Sequence, residues 1–167
     1  TILFTQTVST DVTGDYAFFR NPLASDYTIE AYSNDDPRNG LSTRDIVEIQ
    51  KHLLGLEPFT TAYESVAADV NNSESVSALD MVELRKLLLG VYDEFPNNTS
   101  WRFIDETQTY NDIHEPWPLD EVVEIANLST SMLDENFVSV KVGDLNNSAT
   151  PNALVSTEDR TDNGALT

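Results

Sequence analysis

Two polar stretches of this chain carry oxygen donors at a spacing that suits a calcium ion. A 12-residue calcium loop supplies oxygens from positions 1, 3, 5, 7, 9 and 12, with a main-chain carbonyl at position 7. In the second stretch every one of these positions holds an oxygen donor, and Val76 takes the apolar position 8 that anchors the loop to a core. The predicted ligands, in loop order, are Asp69, Asn71, Ser73, Ser75 (through its carbonyl), Ser77 and Asp80.

The first stretch follows the same register but is less complete. Arg38 at position 5 has no side-chain oxygen, so only its carbonyl or a water molecule can serve there, and the adjacent Asp35 could add charge. The alternative is that Asp36 and Asp45 simply favour the start of a helix, as acids do near a helix N-terminus. The predicted ligands are Asn34, Asp36, Arg38, Gly40 (through its carbonyl), Ser42 and Asp45, so that two calcium ions are expected in all.

A third polar stretch begins in the same way near the end of the chain. Asp144, Asn146 and Ser148 occupy positions 1, 3 and 5, but position 12 would be Val155, which has no side-chain oxygen. A complete third site is therefore not expected. The remaining interpretations are a turn, or an outside ligand to one of the other two ions.

The elements that must position these loops are two copies of one helical segment. Residues 41–55 (LSTRDIVEIQKHLLG) recur as residues 76–90 (VSALDMVELRKLLLG), and each copy directly follows the main part of a polar loop. Ser42 and Ser77 suit the N-cap of a helix, and a glycine closes each copy. One apolar stripe is predicted on each helix, from Ile46, Ile49, Leu53 and Leu54 in the first and Met81, Leu84, Leu88 and Leu89 in the second.

The rest of the chain predicts short strands, which makes the fold class α+β. Residues 1–32 alternate apolar and polar side chains between turn signals, residues 101–104 and 136–142 suit two strands that pair, and residues 119–128 suit a strand or a short helix. Three strands in 1–32 cannot bury a core alone, so either a preceding domain was removed or neighbouring molecules supply the pairing. The predicted organisation is a β-strand segment 1–33, a calcium-binding module 34–148 with an insertion 93–142, and a polar tail 149–167.

The composition excludes several classes of function. The formal net charge of the 167 residues is −20, with 29 acidic against 9 basic residues. Nucleic-acid binding is excluded, because it needs clustered Lys and Arg, and no apolar run is long enough to span a membrane. The charge suits cation binding and equally suits the solvated surface of a secreted protein. Since the chain starts without Met or a signal peptide, we expect a processed product or a piece of a larger protein.

Nothing in the sequence predicts an enzyme. No zinc-protease, nucleophile-elbow, P-loop or dinucleotide motif occurs, and the chain has no cysteine. Of the two histidines, His52 replaces an apolar residue of the sister helix and is expected at the edge of the core, while His114 lies in a Pro-rich loop. Trp101 and Trp117 could form a stacking surface for a sugar, although core or loop anchoring is the commoner use of such residues.

The loops and helices together resemble the dockerin type I family. The features are Asp at position 12, no helix entering either loop, and Leu-Leu-Gly closing each helix. More specifically, DxNNSxxxSAxDxVELRKLLLG, FPNNTSWRF and VKVGDLNNSA within residues 34–148 are similar to a dockerin-like module of surface proteins from Bacteroidetes-type bacteria. Residues 14–31 resemble the last strands of carboxypeptidase-regulatory-like or SdrD-type β-sandwiches. The resemblance implies two antiparallel helices locked by calcium (an F-hand pair) and attachment to another protein.

These observations predict a non-catalytic, extracellular, calcium-binding module that mediates protein–protein attachment or assembly. The first alternative is a structural subunit of an extracellular filament or tubule, which would be completed by strand exchange between copies. The second alternative is a glycan-binding module that uses Trp101 or Trp117. The expected partner is accordingly another protein or a copy of the same chain, with a glycan as the weaker choice.

Overall fold

The structure is a computed structural model that describes residues 5–150. Its helices and strands belong to the predicted α+β class. In chain order they are β1 (Tyr27–Glu30), α1 (Thr43–Leu53), α2 (Ala62–Ala68), α3 (Ala78–Leu88), β2 (Trp101–Asp105), β3 (Val122–Ile125) and β4 (Phe137–Lys141). Within residues 5–150 no helix is long and apolar enough to cross a bilayer.

The repeated segment forms α1 and α3, and both helices start in the same way. Ser42 and Ser77 are the N-caps, and the carboxylates of Asp45 and Asp80 accept hydrogen bonds from the N–H groups of these two serines, each at 2.8 Å. This capping box satisfies backbone donors that have no partner inside the helix. Both helices then stop just before a glycine with positive φ, as the sequence predicts.

The core is formed by α1, α2 and α3 together with the sheet of β2 and β4. Ile49, Leu84, Leu87 and Ile104 are fully buried there. The predicted apolar stripe was only partly correct, because Leu53, Leu54 and Leu89 near the helix ends are exposed while Leu87 is buried. A helix buries only the side chains that meet its neighbours, and the last turn of each helix extends beyond that contact.

One helix contradicts the expectation that no helix enters either loop. The seven-residue helix α2 ends directly before Asp69, so the second loop has a helix on both sides. A capping box between Thr61 and Glu64 starts α2, and the helix buries Val66 and Ala67 in the core. This burial outweighs the short length of the helix, which would not be stable alone.

The strands form two separate antiparallel pairs. β2 pairs with β4 in the register Trp101↔Lys141, which is the predicted pairing, and β1 pairs with β3 in the register Tyr27↔Ile125. Residues 119–128 therefore contain a strand.

The N-terminal prediction was mostly wrong. Of the three strands predicted in 1–32, only β1 forms within residues 5–32, and residues 1–4 lie outside the described part of the chain. β1 also has a partner, β3, in the same chain. The apolar side chains of the earlier segment, such as Val12 and Phe19, stay largely exposed, so burial does not stabilise further strands there.

Candidate metal centre

The second loop, which we call the continuous loop (residues 69–80), has a buried carboxylate at each end. Asp69 follows the end of α2 and Asp80 lies in the first turn of α3, and their side chains are 1% and 0% exposed. One oxygen of Asp69 accepts the N–H of Ser73 at 2.8 Å and the other accepts the N–H of Glu74 at 2.9 Å. Asp80 accepts the N–H of Asn71 at 3.1 Å. The backbone thus fixes the orientation of both carboxylates.

The surroundings of Asp69 disfavour a negative charge on its carboxyl. Burial raises the pKa of the Asp69 carboxyl, and the nearby Asp80 carboxylate raises it further. The N–H groups of Ser73 and Glu74 and the charge of Arg102 act in the opposite direction. Since burial and like charge both favour the protonated acid, a cation between the two carboxylates would stabilise the loop.

Asn71, at position 3 of the continuous loop, has an oxygen with no hydrogen-bond partner. Its Oδ1 is buried, and no donor reaches it within the part of the chain that the structure describes. Most buried polar atoms have a partner, so such an atom calls for an explanation, such as an ion. The predicted ligands at positions 5 and 7 are also close together, since the Oγ of Ser73 lies 3.3 Å from the carbonyl oxygen of Ser75.

Two predicted ligands of the first loop are engaged elsewhere. The Asn34 amide donates to Glu94 at 2.9 Å and accepts the N–H of Ser100 at 2.7 Å. The guanidinium of Arg38 donates from Nε to the carbonyl of Leu87 at 3.0 Å, which joins the first loop to the end of α3. Neither side chain hydrogen bonds to Asp45.

The end of the described chain supplies the groups that hydrogen bond to Asp45 and to the loop before it. Asp45 is fully buried, and its Oδ1 accepts the N–H of Leu145 at 3.0 Å and the side-chain amide of Asn146 at 2.7 Å. The Oγ of Ser148 donates to the carbonyl of Gly40 at 2.7 Å. We call this set, residues 40–45 together with residues 144–148, the split cluster. The third stretch thus lies against the first loop, and its role as an outside ligand stays a prediction.

The split cluster reproduces the arrangement of the continuous loop. Its DLNNS sequence (144–148) repeats the DVNNS of residues 69–73. The Asp144 carboxylate accepts the N–H groups of the fourth and fifth residues after it, at 3.1 and 2.7 Å, as Asp69 does. Asn147 and its counterpart Asn72 both have positive φ, of 53° and 57°. Two similar oxygen clusters therefore exist, one from a single loop and one from two distant segments.

A buried lysine lies beside the split cluster. Lys141 donates to the carbonyls of Pro37 at 3.0 Å and Ser100 at 3.2 Å. Burial lowers the pKa of Lys141 to about 8, against the opposing effect of Asp36 and Asp144. Asp36, a predicted ligand, thus lies near enough to interact with this ammonium group.

The donor sets contain few charged ligands. Within residues 5–150 no group of three or more His, Cys, Asp or Glu side chains converges as a metal site. Each cluster instead has two carboxylates accompanied by amide, hydroxyl and carbonyl oxygens, with Ser42 and Ser77 also at their helix N-caps.

His52 and Trp101 lie against other side chains, and His114 is exposed. His52 stacks on Phe59 with ring centroids 3.8 Å apart, and its Nδ1 accepts the N–H of Phe59 at 3.0 Å. The ring of His114 lies 5.5 Å from that of His52. The ammonium of Lys141 lies over the Trp101 ring, 5.7 Å from its centroid. One face of Trp101 is therefore already in use.

Comparison of the chain with protein-family models, with curated proteins and with solved structures finds no match. The two oxygen clusters are thus the features from which a function can be inferred.

Proposed function

We propose that this chain is a non-catalytic, calcium-stabilised module that attaches to another protein outside the cell. The single observation that carries the calcium proposal is the buried Oδ1 of Asn71, which has no hydrogen-bond partner and belongs to the same loop as the buried carboxylates of Asp69 and Asp80. A cation among them would satisfy the amide oxygen and offset the repulsion between the acids.

The chemistry of the donors favours calcium over other metals. Calcium binds six to eight oxygens in flexible geometry, and carboxylate, amide, hydroxyl and carbonyl oxygens all suit it. Zinc and copper sites commonly use imidazole or thiolate, which neither cluster contains. The residues proposed to hold the two ions are Asp69, Asn71, Ser73, Ser75, Ser77 and Asp80 in the continuous loop, and Gly40, Ser42, Asp45, Asp144, Asn146 and Ser148 in the split cluster.

Attachment is supported by exposed apolar residues at equivalent positions of the two repeats. Val47 and Val82 are 46% and 43% exposed, and Leu54 and Leu89 are 64% and 73% exposed. Exposed apolar side chains that recur in both repeats suit contact with a protein partner. Strand exchange has weaker support, because β1 already pairs with β3, and glycan stacking has weaker support because Lys141 covers one face of Trp101.

Calorimetric titration and thermal melting test the calcium proposal. We expect about two ions per chain and a strong loss of thermal stability in EDTA. An ion at 100 times its dissociation constant adds about 2.7 kcal/mol per site. For a chain of this size each kcal/mol shifts the melting temperature by about 2–4 °C, so two sites correspond to roughly 10–20 °C.

A pair of matched variants separates a specific site from general charge effects. Asp80→Asn removes a buried carboxylate of the continuous loop, whereas Asp93→Asn makes the same change of charge at a side chain that is fully exposed. We expect Asp80→Asn to lose one ion and Asp93→Asn to keep both. An identical melting curve in calcium and in EDTA would refute the proposal.

A further inference from the structure

The split cluster brings together segments that are far apart in the sequence. Asp45 accepts hydrogen bonds from Leu145 and Asn146, which follow it by 100 and 101 residues. The continuous loop, in contrast, has both of its buried acids within 12 residues and a helix on either side. An ion in the split cluster would therefore close a large loop of the chain, whereas an ion in the continuous loop would order only a local turn.

Contacts of residues 39 and 40 with residues 149 and 150 show how closely the two segments approach each other. The side chain of Asn39 donates to the carbonyl of Thr150 at 2.8 Å and accepts its N–H at 3.2 Å. A Cβ atom added to Gly40 would lie only 2.4 Å from the backbone nitrogen of Ala149. Only glycine at position 40 leaves room for this approach.

The charges of the split cluster oppose the same approach. Asp45 and Asp144 are 0% and 5% exposed, and each comes from one of the two segments. Two carboxylates that are removed from water repel each other unless a cation lies between them. The ammonium of Lys141 offsets the charge of Asp144 in part but also interacts with Asp36, so the contact of residues 39–45 with residues 144–150 depends on additional positive charge.

We propose that calcium acts as a clasp, in which one ion in the split cluster holds residues 144–150 against residues 39–45 and its removal releases them. This inference rests on the proposed function, because it assumes that the chain binds calcium. It adds that the two ions have different effects. One orders the loop before α3, and the other controls whether the C-terminal end of the module stays attached to the start of α1.

Hydrogen–deuterium exchange on the full 167-residue chain tests the clasp, with calcium or EDTA as the only difference. In the wild-type chain we expect calcium to slow the exchange of amides 145–149 by at least about tenfold. Asp144→Asn should abolish this effect at 145–149 and keep the calcium effect at 69–80. The matched variant Asp69→Asn should abolish the calcium effect at 69–80 and keep it at 145–149.

The number of bound ions separates failure of the clasp from failure of the proposed function. If the wild-type chain binds two ions and amides 145–149 exchange equally fast with and without calcium, the clasp is wrong and the proposed function stands. If the wild-type chain binds no calcium, both are wrong. Should Asp144→Asn not fold, the milder variant Ser148→Ala replaces it, and the wild-type comparison still decides the outcome.

The variant Asp36→Asn identifies the ligands of the Asp45 site. If the ion is held by the split cluster, Asp36→Asn keeps two ions and Asp144→Asn keeps one. If instead Asp36→Asn binds one ion and Asp144→Asn binds two, the ion is held by the 12-residue loop 34–45, and the clasp is wrong.

Discussion

Replacing Gly40 by alanine should separate the two ends of the module without changing any ligand side chain. Gly40 has φ +76°, and an added Cβ would lie 2.4 Å from the nitrogen and 2.5 Å from the Cα of Ala149. Ordinary contact begins near 3.4 Å, so the two backbones must move apart by about 1 Å. The matched control is Gly55→Ala, since Gly55 has a similar φ of +67° and open space around its Cβ position.

The expected magnitude has two parts. Alanine at positive φ costs about 1–2 kcal/mol in either variant. At Gly40 the separation also weakens three hydrogen bonds, from Ser148 to the Gly40 carbonyl and between Asn39 and Thr150 in both directions. Each contributes about 0.5–1.5 kcal/mol, so Gly40→Ala should cost roughly 2–4 kcal/mol more than Gly55→Ala.

Urea denaturation in calcium and in EDTA measures this difference in the free energy of unfolding. In calcium the excess cost of Gly40→Ala should be present in full. In EDTA it should shrink towards zero, because the contact that alanine disrupts has already been released. Equal costs of the two variants in calcium would show that the approach of Ala149 does not stabilise the fold. If the excess cost of Gly40→Ala is the same in EDTA as in calcium, the close approach of Ala149 to Gly40 does not depend on the ion.

Two further predictions concern the helices. Burial and the nearby His114 lower the pKa of His52 below 6.5, so the stability that depends on neutral His52 is complete above that value and is lost as the pH falls towards the lowered pKa of the folded state. The test variant is His52→Leu, which introduces the residue found at the equivalent position 87 of the second repeat. In EDTA, this variant should make the urea midpoint depend less on pH between about pH 7.5 and 5.5 than it does in the wild type. The same pH dependence of the midpoint in both proteins would contradict the assignment. Leu84→Ala should cost about 2–5 kcal/mol by urea denaturation, because Leu84 is fully buried, while the exposed Leu79→Ala should stay within about 0.5 kcal/mol; similar costs for both would place the core elsewhere.

The helices of the repeat could be predicted because their limits are set by local interactions. Ser42 and Asp45 complete a capping box within four residues, and Gly55 provides the positive φ that ends the helix. The pairing of β2 with β4 could also be predicted, since both segments alternate apolar and polar side chains.

The helix α2 could have been predicted from its capping residues, although its apolar pattern gave no clear signal. Thr61 and Glu64 have the spacing of a capping box, and both hydrogen bonds of that box are present. The seven residues that follow the cap are too few to show a clear helical period. The strands expected in 1–26 failed for the opposite reason, because alternation was present but no partner strand buries those side chains within the described residues.

The split cluster could not be found by counting along the sequence, because a 12-residue register assumes that one loop supplies every ligand. Yet the acid at position 12 also belongs to the capping box in the first turn of a helix, so the helix presents it whichever segment completes the site. The complete signal is the pentapeptide DLNNS at 144–148, which resembles DVNNS at 69–73 but is followed by Val155 at position 12 instead of an acid. A donor loop without an acid at position 12 and a capped helix with a poor loop are complementary halves. Their separation in the sequence is the reason that the first ion would link the ends of the module, while the second would order a single turn.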